Sequence, residues 1–510
     1  MREARIARNG GQRLLRLRSL DSLPQGNLAN SSWGDSAVSQ AVMPAIESTV
    51  GQLYSKGYRA WMLTVLLAMN ALNLTDRQCM AAVSQAIKLD LRITDAQMGI
   101  IQGFGFAIFY SLFGLAIARA AEHYSRTRII AASIGMFGVM VSLCSTATSF
   151  ARLLLYRVGV GVGDAGFGPP VASLIGDHYK MDRRAPAMTV IWLGGPIGAV
   201  GGATFGGWMA EHYSWRTAFT VVGIVGLCVA AIAFFTLREP RRGMSDPVAV
   251  AAGPPPPTWE VVKFLLSKPS MRHFLIGCGL AATAMNGIGQ FFLPFMVRNY
   301  HIGFTEAGRL LALVGGVGMA SGLSLGGFGV GHAGRTEKRW YAWAPGFTLV
   351  LSAVFFVLGF DQPTAARAVW LLVLAHVALF VYYTPTLAIA QNMVGASMRA
   401  SSGFLVAAVI GLVGIGCGPT LVGFLSDAYA AHTFTLGQYS AMCPKGLPLP
   451  GAAADLAAAC RDASATGLRY SLMTTSLIAV WGGIHYFLAS RRVREDLERH
   501  YVPKGASGSA

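Results

Sequence analysis

Asn70, Asn73, Asp76 and Arg77 stand inside an otherwise apolar run that begins near Trp61. A central Asp or Arg in a transmembrane helix costs about 2.5–3.5 kcal/mol on insertion scales, so such residues are usually kept for function and turned away from lipid. The i, i+3, i+7 spacing puts Asn70, Asn73 and Arg77 on one helical face with Asp76 beside it. That face must line a cavity or another helix. The alternative is that Asp76 and Arg77 sit at the membrane interface and snorkel toward water. A second pair, Arg157 and Asp164, lies seven residues apart on one face of a later run, roughly 10 Å along the axis. It reads either as functional or as a structural ion pair. Farther on, Asn286 and Gln290 are one helical turn apart, and His376, Tyr382, Tyr383 and Gln391 dot another apolar run. Such polar groups among Phe291, Phe292 and Phe380 suit an amphipathic ligand. Taken singly, each also suits interhelical hydrogen bonding.

These residues need a scaffold that can hold charge inside a bilayer. Of 510 residues 53% are hydrophobic and only 13% charged, against roughly a quarter charged in a soluble domain. Apolar stretches near 59–82, 97–119, 129–150, 152–175, 186–210 and 217–237, then 272–296, 305–331, 340–360, 367–394, 401–425 and 469–490, each approach the twenty or so residues that cross a bilayer. The expected fold is an all-α integral membrane protein of about twelve transmembrane helices in two six-helix bundles. The expected organisation is a cytoplasmic, disordered tail at 1–58, bundles at 59–237 and 272–490, a cytoplasmic linker at 238–271 and a cytoplasmic tail at 491–510. Gly194-Gly195-Pro196 in span five and Gly418-Pro419 in span eleven occupy corresponding places, and matched interruptions of this kind point to transporter repeats.

The formal charge of +17 is distributed as a topology signal, not as a nucleic-acid stripe. Arg126 and Arg128, Lys180 to Arg184, Arg238 to Arg242, Arg335 to Arg339 and Arg491 to Arg494 fall in alternate loops, which puts both termini in the cytoplasm by the positive-inside rule. Within the linker, Trp259 to Leu266 reads as a surface helix or as plain linker. The Arg-rich first twenty residues read as a transit peptide, a disordered tail or an upstream start with Met43 as the true one. Removal of residues 1–42 is expected to leave insertion and transport intact. The seven cysteines form no metal or redox spacing. Cys443 and Cys460 share the longest outer loop, 427–467, and are expected to pair there. Matches to GxGxxG at 161–166 and 329–334 and to GxSxG at 322–326 lack the strand–turn–helix setting of those chemistries, and packing of small residues explains them better. No P-loop and no HExxH occurs.

The string Leu72-Asn73-Leu74-Thr75-Asp76-Arg77, then Gly114 to Arg126, Arg157 to Ala165, Trp215 to Phe219 and Gly418 to Asp427, resembles the major facilitator superfamily, most closely its Spinster-like branch, over residues 59–490. Two departures stand out: Glu122-His123 where Asp-Arg is usual between spans two and three, and Asp164 where Glu is usual. The resemblance implies alternating access about a central cavity in a bacterial inner membrane, with Asp76, Arg77, Arg157 and Asp164 at positions tied to coupling and substrate, and Arg119, Glu122 and Arg126 in the gating loop. The expected function is a proton-coupled secondary transporter of an amphipathic or aromatic organic anion, lysolipid-like or an organic acid. Asp76 and Asp164 are the expected proton sites, Asp76 foremost, and Arg77 is the expected anion partner. Asn70, Asn73, Arg157, Asn286, Gln290 and Tyr382 complete the expected binding set. The expected partners are the solute, protons and membrane lipid, with no cofactor, metal or nucleic acid and a monomeric chain. The rival readings are a transporter-shaped receptor and a membrane-bound lipid-modifying enzyme.

Overall fold

Span one extends further than its apolar run: the computed structural model, which describes residues 54–179, 181–240, 257–394 and 398–498, has one 36-residue helix over Lys56–Leu91. The Ser55 hydroxyl caps its start by accepting from the Tyr58 N–H, and Arg92 ends it with φ 48°. At 1.5 Å per residue it is about 54 Å long, more than a bilayer's hydrocarbon requires. Asp76 therefore sits near its middle, which removes the interfacial reading. Among the described residues eleven other helical stretches are long and apolar enough to cross a membrane; span one is not one of them, because its polar residues dilute its hydropathy.

Several spans are interrupted. Span two breaks at Gly103 between Asp95–Gln102 and Phe104–His123. Span five breaks at Leu193, directly before the Gly-Gly-Pro sequence, and span eleven passes through a π-helical turn over Ile410–Cys417 before Gly418–Thr433. The reason for the glycines in span five is close approach: a Cβ on Gly198 would come 2.0 Å from the Ala71 carbonyl oxygen of span one. The GxGxxG at 161–166 begins inside the helix Phe150–Ala165 and ends at its cap, as packing predicts.

The boundary of span twelve differs most from the hydropathy estimate. Span twelve is a 37-residue helix, Ala454–Ser490, instead of 469–490. Its first turns are alanine-rich and continue the helix beyond the apolar stretch, so the connection between spans eleven and twelve shrinks to 434–453. Cys443 of that connection forms a disulfide with Cys460 in the second turn of the span-twelve helix, with Cα atoms 5.6 Å apart. In the linker, Thr258–Ser267 is a helix that buries Val261 and Leu265 and leaves Trp259 exposed, the amphipathic alternative.

Packing repeats six spans later. Span one packs on five as seven packs on eleven; three packs on six as nine packs on twelve; two packs on four as eight packs on ten. Between the halves, span two packs on eleven, five on eight and one on seven. Residues 1–53, 241–256 of the linker and 499–510 lie outside the described residues, as do the expected roles of the tails.

Candidate functional site

Two arginines and two aspartates meet between spans one and four, and they pair across the helices. Arg157 donates to both carboxylate oxygens of Asp76 at 2.8 and 3.1 Å, and Arg77 pairs with Asp164. The pairing of Arg157 with Asp164 along span four, one sequence reading, does not form: side chains seven residues apart stand two turns from one another, while span one offers each a partner at its own level. Asp76 is fully buried and Arg157 and Asp164 nearly so; the Arg77 side chain keeps 23% of its surface open. Its guanidinium lies over the ring of Phe106 at 4.5 Å and that of Tyr110 at 5.5 Å, where the ring faces offset part of the cost of holding a cation away from water.

A small cavity of about 30 Å³ opens beside Arg77 and Arg157, and Asn286 and Gln290 of span seven face it from the other half. Asn286 ties one amide hydrogen to its own helix at the Ala282 carbonyl. The remaining expected residues are placed elsewhere. Asn70 donates to the Ile191 carbonyl at 3.1 Å, holding span one to the break in span five. Asn73 is buried with its side-chain oxygen unpartnered, and it does not line the cavity. Tyr382 is fully buried with its hydroxyl 4.0 Å from the Met285 sulfur, also outside the lining. His376 donates its Nδ1–H to the Leu372 carbonyl of its own helix.

At the end that carries the basic loops, Arg126 is buried and bonded to Glu239 at 2.7 Å, to Asp177 and to the Ser173 hydroxyl at 2.9 Å, which ties the starts or ends of spans three, four and six together. Burial works against the Glu239 charge, but the Thr127 N–H, Arg126 and Ser125 outweigh it and hold the carboxyl below its ordinary range. Arg119 is exposed. The Glu122 side chain lies outside the described residues.

The opposite end holds a buried cluster that sequence reading did not single out. Asp95 accepts from Lys88 at 2.7 Å, from both terminal nitrogens of Arg298 at 2.7 and 2.8 Å, and from the Ser426 hydroxyl at 2.7 Å. Asp427 of span eleven accepts from the backbone N–H groups of Asp95 and Ala96, the free donors at the start of a span-two helix. These bonds join the halves. The backbones touch as well: a Cβ on Gly99 would come 2.3 Å from the Pro419 carbonyl oxygen, and one on Gly423 would come 2.1 Å from that of Asp95. The signal in the sequence was weak, because Lys88, Asp95 and Arg298 lie near span ends, where charge is ordinary.

The family model for the Major Facilitator Superfamily matches residues 66–419. The chain is 29% identical over 444 residues to an MFS-type efflux pump of Mycolicibacterium smegmatis (strain ATCC 700084 / mc(2)155), covering 86% of this chain and 94% of that one. It is 23% identical over 385 residues to the hexuronate transporter of Bacillus subtilis (strain 168), covering 74% and 89%. A solved structure of a bacterial homologue of the human lysosomal transporter Spinster, inward-facing and occupied, superposes with a TM-score of 0.77 at 30% identity, over 88% of this chain and all of that one.

Proposed function

The chain belongs to the major facilitator superfamily, in its Spinster-like branch, and is a secondary transporter of small organic solutes; we propose that its cargo is an organic anion driven by a proton gradient. The observation that carries this reading is the Arg77–Asp164 pair: both central arginines line the cavity, but the Arg77 side chain keeps 23% of its surface open against 3% for Arg157. An anionic group entering beside Arg77 competes with Asp164 for the guanidinium. A carboxylate that loses its only cation in a dry setting is strongly disfavoured unless it takes a proton. Solute and proton binding are then linked through one exchangeable ion pair. The Asp76–Arg157 pair, sealed from the cavity on its acid side, serves as the fixed strut that holds spans one and four in register.

The joined outer end and the resemblance to an inward-facing structure support a cavity that opens toward the cytoplasm, with both termini on that side in the bacterial inner membrane. The bundle boundaries of 59–237 and 272–490 are part of the same proposal, as is action as a monomer. The relatives' names support the coarse class of cargo: one is an efflux pump and one takes a hexuronate, a carboxylate by its name.

The test is flux into liposomes containing the purified full-length protein, with aromatic carboxylates and lysolipids compared in the presence and absence of a pH gradient. Arg77→Gln is expected to weaken binding of any transported anion at least tenfold, since a hydrogen bond to a charged group contributes about 1.5–3 kcal/mol. Arg77→Lys is expected to recover part of it. Equal affinity in wild-type and Arg77→Gln protein, with both folded, rejects the anion site.

A further inference from the structure

Gln102 is only 5% exposed, and both its amide oxygen and its amide nitrogen lack a hydrogen-bond partner among the described residues. It lines the same central cavity as Arg77 and Arg157. A buried amide with neither end satisfied is uncommon, because each unpaired polar atom costs free energy that a leucine at the same place would not.

The backbone around it is unusual too. Gln102 is the last residue of its helix, directly before the break at Gly103, whose φ and ψ are both −101°. Across the cavity, Ile415 belongs to the π-helical turn of span eleven. Broken membrane helices gather at transporter binding sites, and π-turns recur at functional ones. The helix interruption, the π-turn and the unsatisfied amide therefore converge on Gln102, a residue the sequence did not single out.

We propose that Gln102 is a specificity-determining residue that reads a hydroxyl beside the anionic group of the solute. This rests on the anion site at Arg77. The amide presents one donor and one acceptor on the same edge. An anionic oxygen accepts from its nitrogen, and a hydroxyl on the neighbouring carbon donates to its oxygen, so both ends are satisfied at once while Arg77 holds the charge. A simple carboxylate satisfies only the nitrogen. The preferred cargo is thus a hydroxylated anion: a 2-hydroxy acid, or a lysolipid whose free hydroxyl lies close to its phosphate.

The test uses matched pairs: mandelate against phenylacetate, and lysophosphatidate against its deoxy analogue, each titrated into the full-length protein in nanodiscs. Wild-type protein is expected to bind at least one hydroxylated member roughly tenfold more tightly than its partner, since the deoxy ligand leaves the Gln102 oxygen unpaired. Which pair shows the preference separates the two sources of the same chemistry. Gln102→Leu is expected to abolish the preference, to weaken the deoxy member roughly tenfold through loss of the amide N–H bond to the anion and the hydroxylated member by more, and to leave the melting temperature of the ligand-free protein unchanged or higher. A preference that survives in Gln102→Leu, or wild-type protein that binds both members of each pair equally, overturns the assignment and leaves the anion site standing. A lowered melting temperature with lost binding of all four overturns it in favour of a structural amide. Binding that is also indifferent to Arg77→Gln removes the anion reading itself.

Discussion

Asp164→Asn protein should exchange solute across a liposome membrane yet fail to accumulate it against a gradient. The substitution keeps the size and most of the hydrogen bonding of the side chain but abolishes its titration. Arg77, freed from its acid, remains available to the anion, so binding and equilibrative exchange persist. Accumulation driven by a pH gradient should fall to the level of empty liposomes. Asp76→Asn should behave differently. Its partner Arg157 is nearly buried and would be left without an acid at its own level, and breaking a buried ion pair from one side costs about 3–5 kcal/mol. Reduced expression and a lower melting temperature are the expected signs. This ranking inverts the order suggested by sequence, where Asp76 stood first, because only the structure distinguishes the acid whose cation is partly exposed from the acid whose cation is nearly buried. Accumulation that persists in well-folded Asp164→Asn protein would sink the coupling proposal.

The charged residues of spans one and four were legible because ions are rare in apolar runs, and a rarity can be noticed one residue at a time. Their partners were not legible. Arg157 and Asp164 share a face of one helix, and nothing in their spacing says that span one runs alongside at a height that pairs each with a different residue. The order and approximate place of the spans followed from hydropathy. Helix ends did not, because span twelve continues through residues 454–468 as an alanine-rich helix where the apolar signal has already stopped. Gln102 escaped for a third reason. A neutral amide near the end of a helix is unremarkable in sequence, and its significance depends on what fails to reach it.

The second large effect is expected from Gly99→Leu, and it concerns closure instead of chemistry. The Cβ alone would come 2.3 Å from the Pro419 oxygen, 2.9 Å from its carbon and 3.0 Å from the Thr420 Cα. All three are backbone atoms of a helix, so no side chain can swing aside. Spans two and eleven must separate at this level, and separation withdraws Asp427 from the helix start at Asp95 and Ala96 and pulls Asp95 from Arg298. This end then loses both its contact and its charge pairing, and with the topology proposed above the protein should rest open to the outside. Spin labels at Tyr213 and Asp361, exposed positions on the two halves, should report a mean distance several ångströms longer than in wild type, and flux should drop at least tenfold. Gly201→Leu supplies the control, because a Cβ there meets nothing within 4 Å, and it should transport like wild type. Unchanged distance and flux in Gly99→Leu would mean that the contact between Gly99 and Pro419 does not hold the outer end shut. Loss of flux without a change in distance would place the defect in folding or in the neighbouring cavity, which the melting temperature and mandelate binding of the same variant tell apart.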